Sequence, residues 1–152
     1  MRSSVSDACE NDIDWLLEVE REAFIPPWTH GTLLSEIYDS DSYFVIAREG
    51  GLNLGFVILK RLVDSGELLQ IATHKDARRR GVASMLLAAA ITHSKECGLD
   101  AVFLEVRKSN DAAASLYIKH GFVPNRVRKN YYADPIEDAV EMVLRIKYCD
   151  LD

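Results

Sequence analysis

The chain has 152 residues, a length that one hydrophobic core can serve without a metal or disulfide staple, so a single domain over residues 1–152 is expected. Its hydrophobic share of 48% and charged share of 28% are those of an ordinary globular protein, and a net charge of -6 argues against a main role in gripping nucleic acid. Cys9, Cys97 and Cys149 lack the paired spacings of a zinc or redox site, no apolar run approaches a bilayer span, and the start has no signal-peptide layout. The expectations are therefore free thiols, no metal, no membrane and a cytoplasmic location.

In chain order, Asn11 to Phe24 sets apolar Ile13, Leu16, Leu17 and Phe24 among acids and stops at consecutive prolines, which predicts a first helix. A second helix is predicted from about Thr29 to Tyr38. Strands follow at Tyr43–Ala47, Leu54–Leu59 and Leu68–Ala72, joined by short turns of the kind that make an antiparallel meander. Val82 to Cys97 then carries Val82, Leu86, Ala89, Ala90 and His93 on one helical stripe, with Gly98 where a helix end favours positive φ. A strand at Ala101–Arg107, a helix from about Asn110 to His120 and two strands near Phe122–Tyr132 and Ala139–Ile146 complete the chain. The strand-helix-strand unit between Leu68 and Arg107 implies a right-handed crossover and one parallel pair inside a largely antiparallel sheet.

Between that third strand and the third helix lies Arg78-Arg79-Arg80-Gly81-Val82-Ala83-Ser84. The first turn of a helix offers unpaired N–H groups and a positive dipole end, and Gly81 lets an anion approach the backbone. Cations are disfavoured at that end, so a cluster of arginines there points to an anion that offsets the repulsion. The same residues also suit a plain solvated helix start, and the stretch by itself leaves both readings open. It is neither a Walker loop nor a dinucleotide fingerprint.

With Arg78, Gly81 and Ala83 in its defined places, the stretch resembles the pyrophosphate loop of the GNAT family of acetyl-CoA-dependent N-acetyltransferases. A second segment strengthens the likeness: Leu104-Glu105-Val106-Arg107, Ser109-Asn110, Ala112 to Tyr117, Gly121-Phe122, Asn130-Tyr131-Tyr132 and Glu137-Asp138-Ala139 follow in order. Together with "AFIPPWTHGTL", these resemble the bacterial ribosomal-protein alanine N-acetyltransferase subfamily. Two features depart from its pattern: Ala83 stands where a second glycine is common, and "FIPPW" is longer than the usual segment. The resemblance implies an α/β fold with a mixed, mostly antiparallel sheet of six or seven strands flanked by about four helices. It implies acetyl-CoA as co-substrate, with Ile71, Ala72 and Thr73 holding the pantetheine arm, Arg79 to Ser84 the phosphates and Asn110 a coenzyme contact. As acceptor it implies a protein N-terminal amine, with ribosomal protein S18 the subfamily's substrate.

Acyl transfer to an amine needs a base for the nucleophile and an acid for the leaving thiolate. Period-two alternation puts Glu105 on the strand face shared with Phe103 and Arg107, where it is either ion-paired to Arg107 or another neighbour or chemically active. Tyr117 lies two helical turns after Asn110 on the same face and reads from spacing as a core aromatic. The resemblance makes Glu105 the general base, Tyr117 the acid, and Trp28, Tyr131 and Tyr132 acceptor contacts. From the residues alone Asn110 is a helix N-cap, Trp28 is either core or groove wall, and His74 is a solvated turn residue. The acids Asp134, Glu137, Asp138 and Glu141 follow the tyrosines closely enough either to receive a basic tail or to be solvated strand-end charges. Lysine or small-molecule amines, and a non-catalytic acyl-CoA-binding module, remain as other readings.

Overall fold

The computed structural model describes residues 3–146. Strand β1 (Ser4–Asp7) precedes a 3-10 turn and helix α1 (Ile13–Ala23), followed by α2 (His30–Tyr38). The strands β2 (Ser42–Glu49), β3 (Leu52–Leu62) and β4 (Ser65–Thr73) lead through a second 3-10 turn into α3 (Val82–Glu96). After it come β5 (Ala101–Arg107), α4 (Asp111–Lys119), β6 (Val123–Tyr132) and β7 (Glu137–Arg145). The seven strands run in the order β1-β2-β3-β4-β5-β7-β6. The pairs β1–β2, β2–β3, β5–β7 and β6–β7 are antiparallel, while β4 and β5 are parallel over Ser65↔Ala101 to Glu67↔Phe103, as the crossover argument requires.

Local chemistry explains the boundaries. Thr29 caps α2 by accepting the Thr32 N–H at 3.3 Å, so the predicted start was the cap rather than the first helical residue. Asn110 likewise caps α4, taking the Ala113 N–H on Oδ1 at 3.2 Å. One strand, β1, was not expected. Its four residues are mostly exposed and carry no apolar alternation, so its pairing along β2 leaves no mark in the sequence.

Two compact units divide the chain: one runs to Lys60 and adds Leu69–Ala90, the other takes Arg61–Leu68 and the chain from Ile91 on. In the first, Ile13, Leu16 and Val19 of α1 join Leu33, Phe44, Ile46, Phe56, Ile58 and Ala72 in one buried cluster. Strand β3 comes unusually close to its neighbours there: a Cβ on Gly55 would sit 2.6 Å from the Ala72 carbonyl oxygen and 3.0 Å from Val82 Cγ1. In the second unit Val102, Leu104 and Val106 of β5 are buried while Phe103, Glu105 and Arg107 are half-buried, which is the predicted alternation. Tyr117 and Phe122 meet edge to face at 5.9 Å in that unit.

Candidate active site

In the first unit, β4 delivers Ile71, Ala72 and Thr73 to the loop that opens α3. Ala72 is buried and its two neighbours half-buried. The loop backbone turns left-handed at Arg79 (φ 64°) and again at Gly81 (φ 77°). At Arg79 that conformation is strained by roughly 1–2 kcal/mol, and such strain accumulates where backbone amides converge on a ligand. Gly81 has nothing within 4 Å of where a Cβ would stand, and its carbonyl accepts the Met85 N–H at 3.0 Å, starting α3. Arg78, Arg79 and Arg80 are exposed, with Arg80 bound to Glu49 at the end of β2. Val82 is buried, and Ala83 and Ser84 are half-buried on the first turn. Open room beside Gly81 at the positive end of a fifteen-residue helix, with three exposed arginines just before it, suits the diphosphate of a coenzyme.

His74 beside this loop is not a solvated turn residue. Its side chain is 14% exposed, stacks on Trp15 at 6.4 Å, and accepts the Asp76 N–H on Nδ1. Trp28 is half-buried against the first unit's core, and its N–H is bound by Glu20.

The second unit assembles the other candidates. Glu105 on β5 stands directly opposite Glu141 of β7 in the antiparallel register. Two opposed carboxylates repel, and Arg128 of β6 supplies the countercharge: its Nε is 3.0 Å from Glu105 Oε1 and its Nη2 3.9 Å from Glu141 Oε2. The Nε–H has no aligned acceptor, so this contact acts through charge. The Tyr131 hydroxyl donates to Glu105, which together with burial raises the Tyr131 pKa, and the Arg128 guanidinium lies 5.5 Å over the Tyr131 ring. A pocket of about 320 Å³ opens here, lined by Glu67, Phe103, Glu105, Arg126, Arg128 and Glu141 among others. The partner that sequence spacing offered to Glu105, Arg107, is engaged elsewhere. It binds the carbonyls of Ala133 and Pro135 at 3.0 and 3.1 Å, pairs with Glu137 at 3.4 Å, and lies 4.4 Å over the Tyr132 ring.

Tyr117 on α4 is 7% exposed, and burial pushes its hydroxyl up to about 12, with Tyr132 contributing. Tyr132, packed at 5.1 Å from Tyr131, is also pushed up to about 12, by burial first and then by Glu105. Asn110 spends Oδ1 on its cap, which leaves its amide nitrogen as the end that can donate to a ligand.

Three acids of the run after the tyrosines, Glu137, Asp138 and Glu141, are occupied locally, while Asp134 is exposed. Glu137 accepts the Ser109 N–H at 2.7 Å, and Asp138 accepts the Asn130 N–H at 2.9 Å and pairs with Lys129. Glu141 is 8% exposed and takes the Asn125 amide at 2.8 Å. Arg128 and Glu67 were invisible as site residues, and Glu141, legible only as one of the acids after the tyrosines, could not be placed opposite Glu105, because cross-strand register is not written in any one strand. Among the described residues no group of His, Cys, Asp and Glu is arranged to hold a metal ion, Cys9 and Cys97 are free, and no helix is long and apolar enough to cross a membrane. Cys149 lies outside the described residues.

A strand leading into an arginine-glycine helix start in one unit, and a half-buried glutamate on a strand in the other, are features that an acyl-CoA-dependent amine acyltransferase calls for. Comparison with known proteins agrees: residues 13–122 match the acetyltransferase (GNAT) family, and the chain belongs to that family. It is an N-acetyltransferase with acetyl-CoA as co-substrate. It is 35% identical to the ribosomal protein bS18-alanine N-acetyltransferase of Haemophilus ducreyi, over 89% of this chain and 94% of the relative. The crystal structure of the ribosomal-protein-S18-alanine N-acetyltransferase from Escherichia coli matches with a TM-score of 0.87 at 31% identity, covering 95% of this chain and 94% of that one. An N-acetyltransferase from Thermoplasma acidophilum, solved in complex with coenzyme A, shares the fold at 22% identity and a TM-score of 0.80, over 96% of this chain and all of its own.

Proposed function

We propose that the protein acetylates the α-amine of a protein N-terminus, with the N-terminal alanine of ribosomal protein S18 as acceptor, in the cytoplasm where ribosomal proteins are made. The observation that carries this reading is Glu105: a carboxylate whose side chain is 17% exposed, held by Tyr131 and Arg128 on the wall of an open pocket. Kinship with relatives named for that reaction supports the choice of acceptor.

The chemistry follows from the residues. Glu105, directly or through one water, takes the proton of the incoming ammonium. The freed amine attacks the thioester carbonyl, the nitrogen of the tetrahedral adduct releases its second proton to solvent, and the adduct collapses with cleavage of the carbon–sulfur bond to leave an amide and a thiolate. Tyr117, protonated throughout the physiological range, donates to that thiolate. An ordinary thiol titrates near 8.5, so a tyrosine at about 12 stabilises the leaving sulfur as a hydrogen-bond donor, and complete transfer of its proton is uphill. A model α-amine loses its proton about 2.5 units below lysine, which lowers the cost of deprotonation near neutral pH by roughly 3.4 kcal/mol. A single carboxylate base therefore suits an N-terminus better than a lysine. The backbone of Ile71–Thr73 and the Arg78–Ser84 turn hold the coenzyme, Asn110 contributes an amide donor, and Trp28, Tyr131 and Tyr132 contact the acceptor.

Labelled acetyl-CoA offered with alanine-initiated peptides, lysine peptides, polyamines and small amines tests the reading. Transfer to alanine-initiated peptides is expected. Transfer confined to small amines would replace the acceptor, and coenzyme binding without transfer to anything would make the protein a binding module.

A further inference from the structure

Glu20 has no part in the chemistry above, yet it is an acid with 0% exposure in the middle of an amphipathic helix. Its side chain reaches two segments that the functional reading assigns to different substrates. Oε1 accepts the Trp28 backbone N–H at 2.8 Å and the Gln70 Nε2 at 3.1 Å. Gln70, itself 7% exposed, immediately precedes Ile71 on β4. The Glu20 main chain contributes as well, since its carbonyl accepts the Phe24 N–H at 3.0 Å and ends α1. One residue thus holds both ends of the Phe24–Trp28 segment, the stretch that is longer here than in the subfamily pattern.

The hydrogen-bond inventory of this pair is incomplete in a specific way. The two atoms left without a partner are Glu20 Oε2 and Gln70 Oε1, both acceptors when the acid is ionised. A buried polar atom without a partner is costly, and protonation of Oε2 would turn one of these two acceptors into a donor. Burial raises the Glu20 carboxyl above its ordinary value, against the two hydrogen bonds it accepts. The neighbouring acids of α1 face other groups: Glu18 lies 3.5 Å from His74 and Glu22 3.3 Å from Lys75, while Arg21 is exposed.

We infer that Glu20, paired with Gln70, is a positioning residue for the acceptor: it pins the Trp28 backbone beside the coenzyme-binding strand and so sets acceptor affinity without touching the reacting atoms. The inference rests on the functional reading, because Trp28 belongs to the acceptor side only there. Three variants and three readouts test it. Glu20→Met keeps the side-chain volume and removes both hydrogen bonds, Glu20→Gln keeps an acceptor and supplies an N–H donor in place of the acid proton, and Gln70→Met removes one partner. The readouts are hydrogen exchange of the Trp28 amide, KM and kcat for an alanine-initiated peptide, and Kd for acetyl-CoA. Glu20→Met is expected to speed Trp28 exchange and raise peptide KM on the order of tenfold, the worth of one buried hydrogen bond, with kcat and acetyl-CoA Kd within about twofold. Glu20→Gln is expected to restore both, and Gln70→Met to fall between. Faster exchange with an unchanged peptide KM, or Glu20→Gln as impaired as Glu20→Met, overturns the positioning role. Should Glu20→Met fail to fold, the contrast between Glu20→Gln and Gln70→Met carries the same decision. A wild type that acetylates no peptide overturns the functional reading alone, and Trp28 exchange in the variants still decides whether Glu20 is the pin.

Discussion

Arg128 shows how one side chain makes two opposed carboxylates tolerable. Glu105 and Glu141 oppose each other across β5 and β7, and a shared guanidinium lies against both. Charge balance at the proposed base therefore comes from β6, two strands away from it, and no spacing within "LEVR" announces it. Substituting the proposed base and acid should separate chemistry from binding. Glu105→Gln and Tyr117→Phe are expected to lower kcat about 100-fold or more while acetyl-CoA binding, followed by calorimetry, stays within about twofold. Unchanged turnover in both variants would remove them from the mechanism. The tyrosines also set an alkaline limit. Tyr117 and Tyr132 hold their protons to about 12 in the folded protein and to about 10 when unfolded, so the folded state binds more protons between those values. Their contribution to stability is complete below about pH 10 and is lost as pH rises through about 12. Denaturant midpoints across this window should fall steeply in wild type and less steeply in Tyr117→Phe.

The contrast between two glycines belongs to the elements. Gly55 is confined by space, since a methyl group there meets the Ala72 carbonyl of β4 and the Val82 side chain of α3. Gly81 is confined by conformation, with open room but a positive φ at the start of α3. Gly55→Ala should lower stability by about 1–3 kcal/mol, read from urea midpoints, because backbone has to move. Gly81→Ala should cost about 1–2 kcal/mol through φ alone and should also weaken acetyl-CoA binding, because its Cβ would occupy the proposed phosphate approach. If both variants lost stability and neither lost coenzyme affinity, the phosphate role of the loop would fall. These elements were largely legible in the sequence because each has a local cause: alternation on β5, the Thr29 and Asn110 caps, the prolines after α1, and the turn residues between strands. What was not legible depends on partners distant in sequence. Strand β1 exists through β2, the half-buried place of His74 through Trp15, and the buried acid Glu20 through Gln70.

For the whole molecule, the boundaries between the two compact units fall inside continuous elements: between Lys60 and Arg61 in β3, Leu68 and Leu69 in β4, and Ala90 and Ile91 in α3. Strands and helices lose hydrogen bonds cooperatively along their length, so we expect residues 1–152 to unfold as one domain. Calorimetric and van't Hoff enthalpies should agree, and two resolved thermal transitions would refute a single cooperative domain. The net charge of -6 still favours a basic acceptor at long range, although Glu137 and Asp138 are committed to Arg107 and Lys129. One peptide decides which amine is the acceptor. A peptide beginning with alanine and carrying an internal lysine, incubated with the protein and acetyl-CoA, can be mapped by fragment mass spectrometry. A single acetyl group on the alanine α-amine is expected; acetylation of the lysine, or of neither amine while the coenzyme is bound, would rule out an N-terminal acceptor.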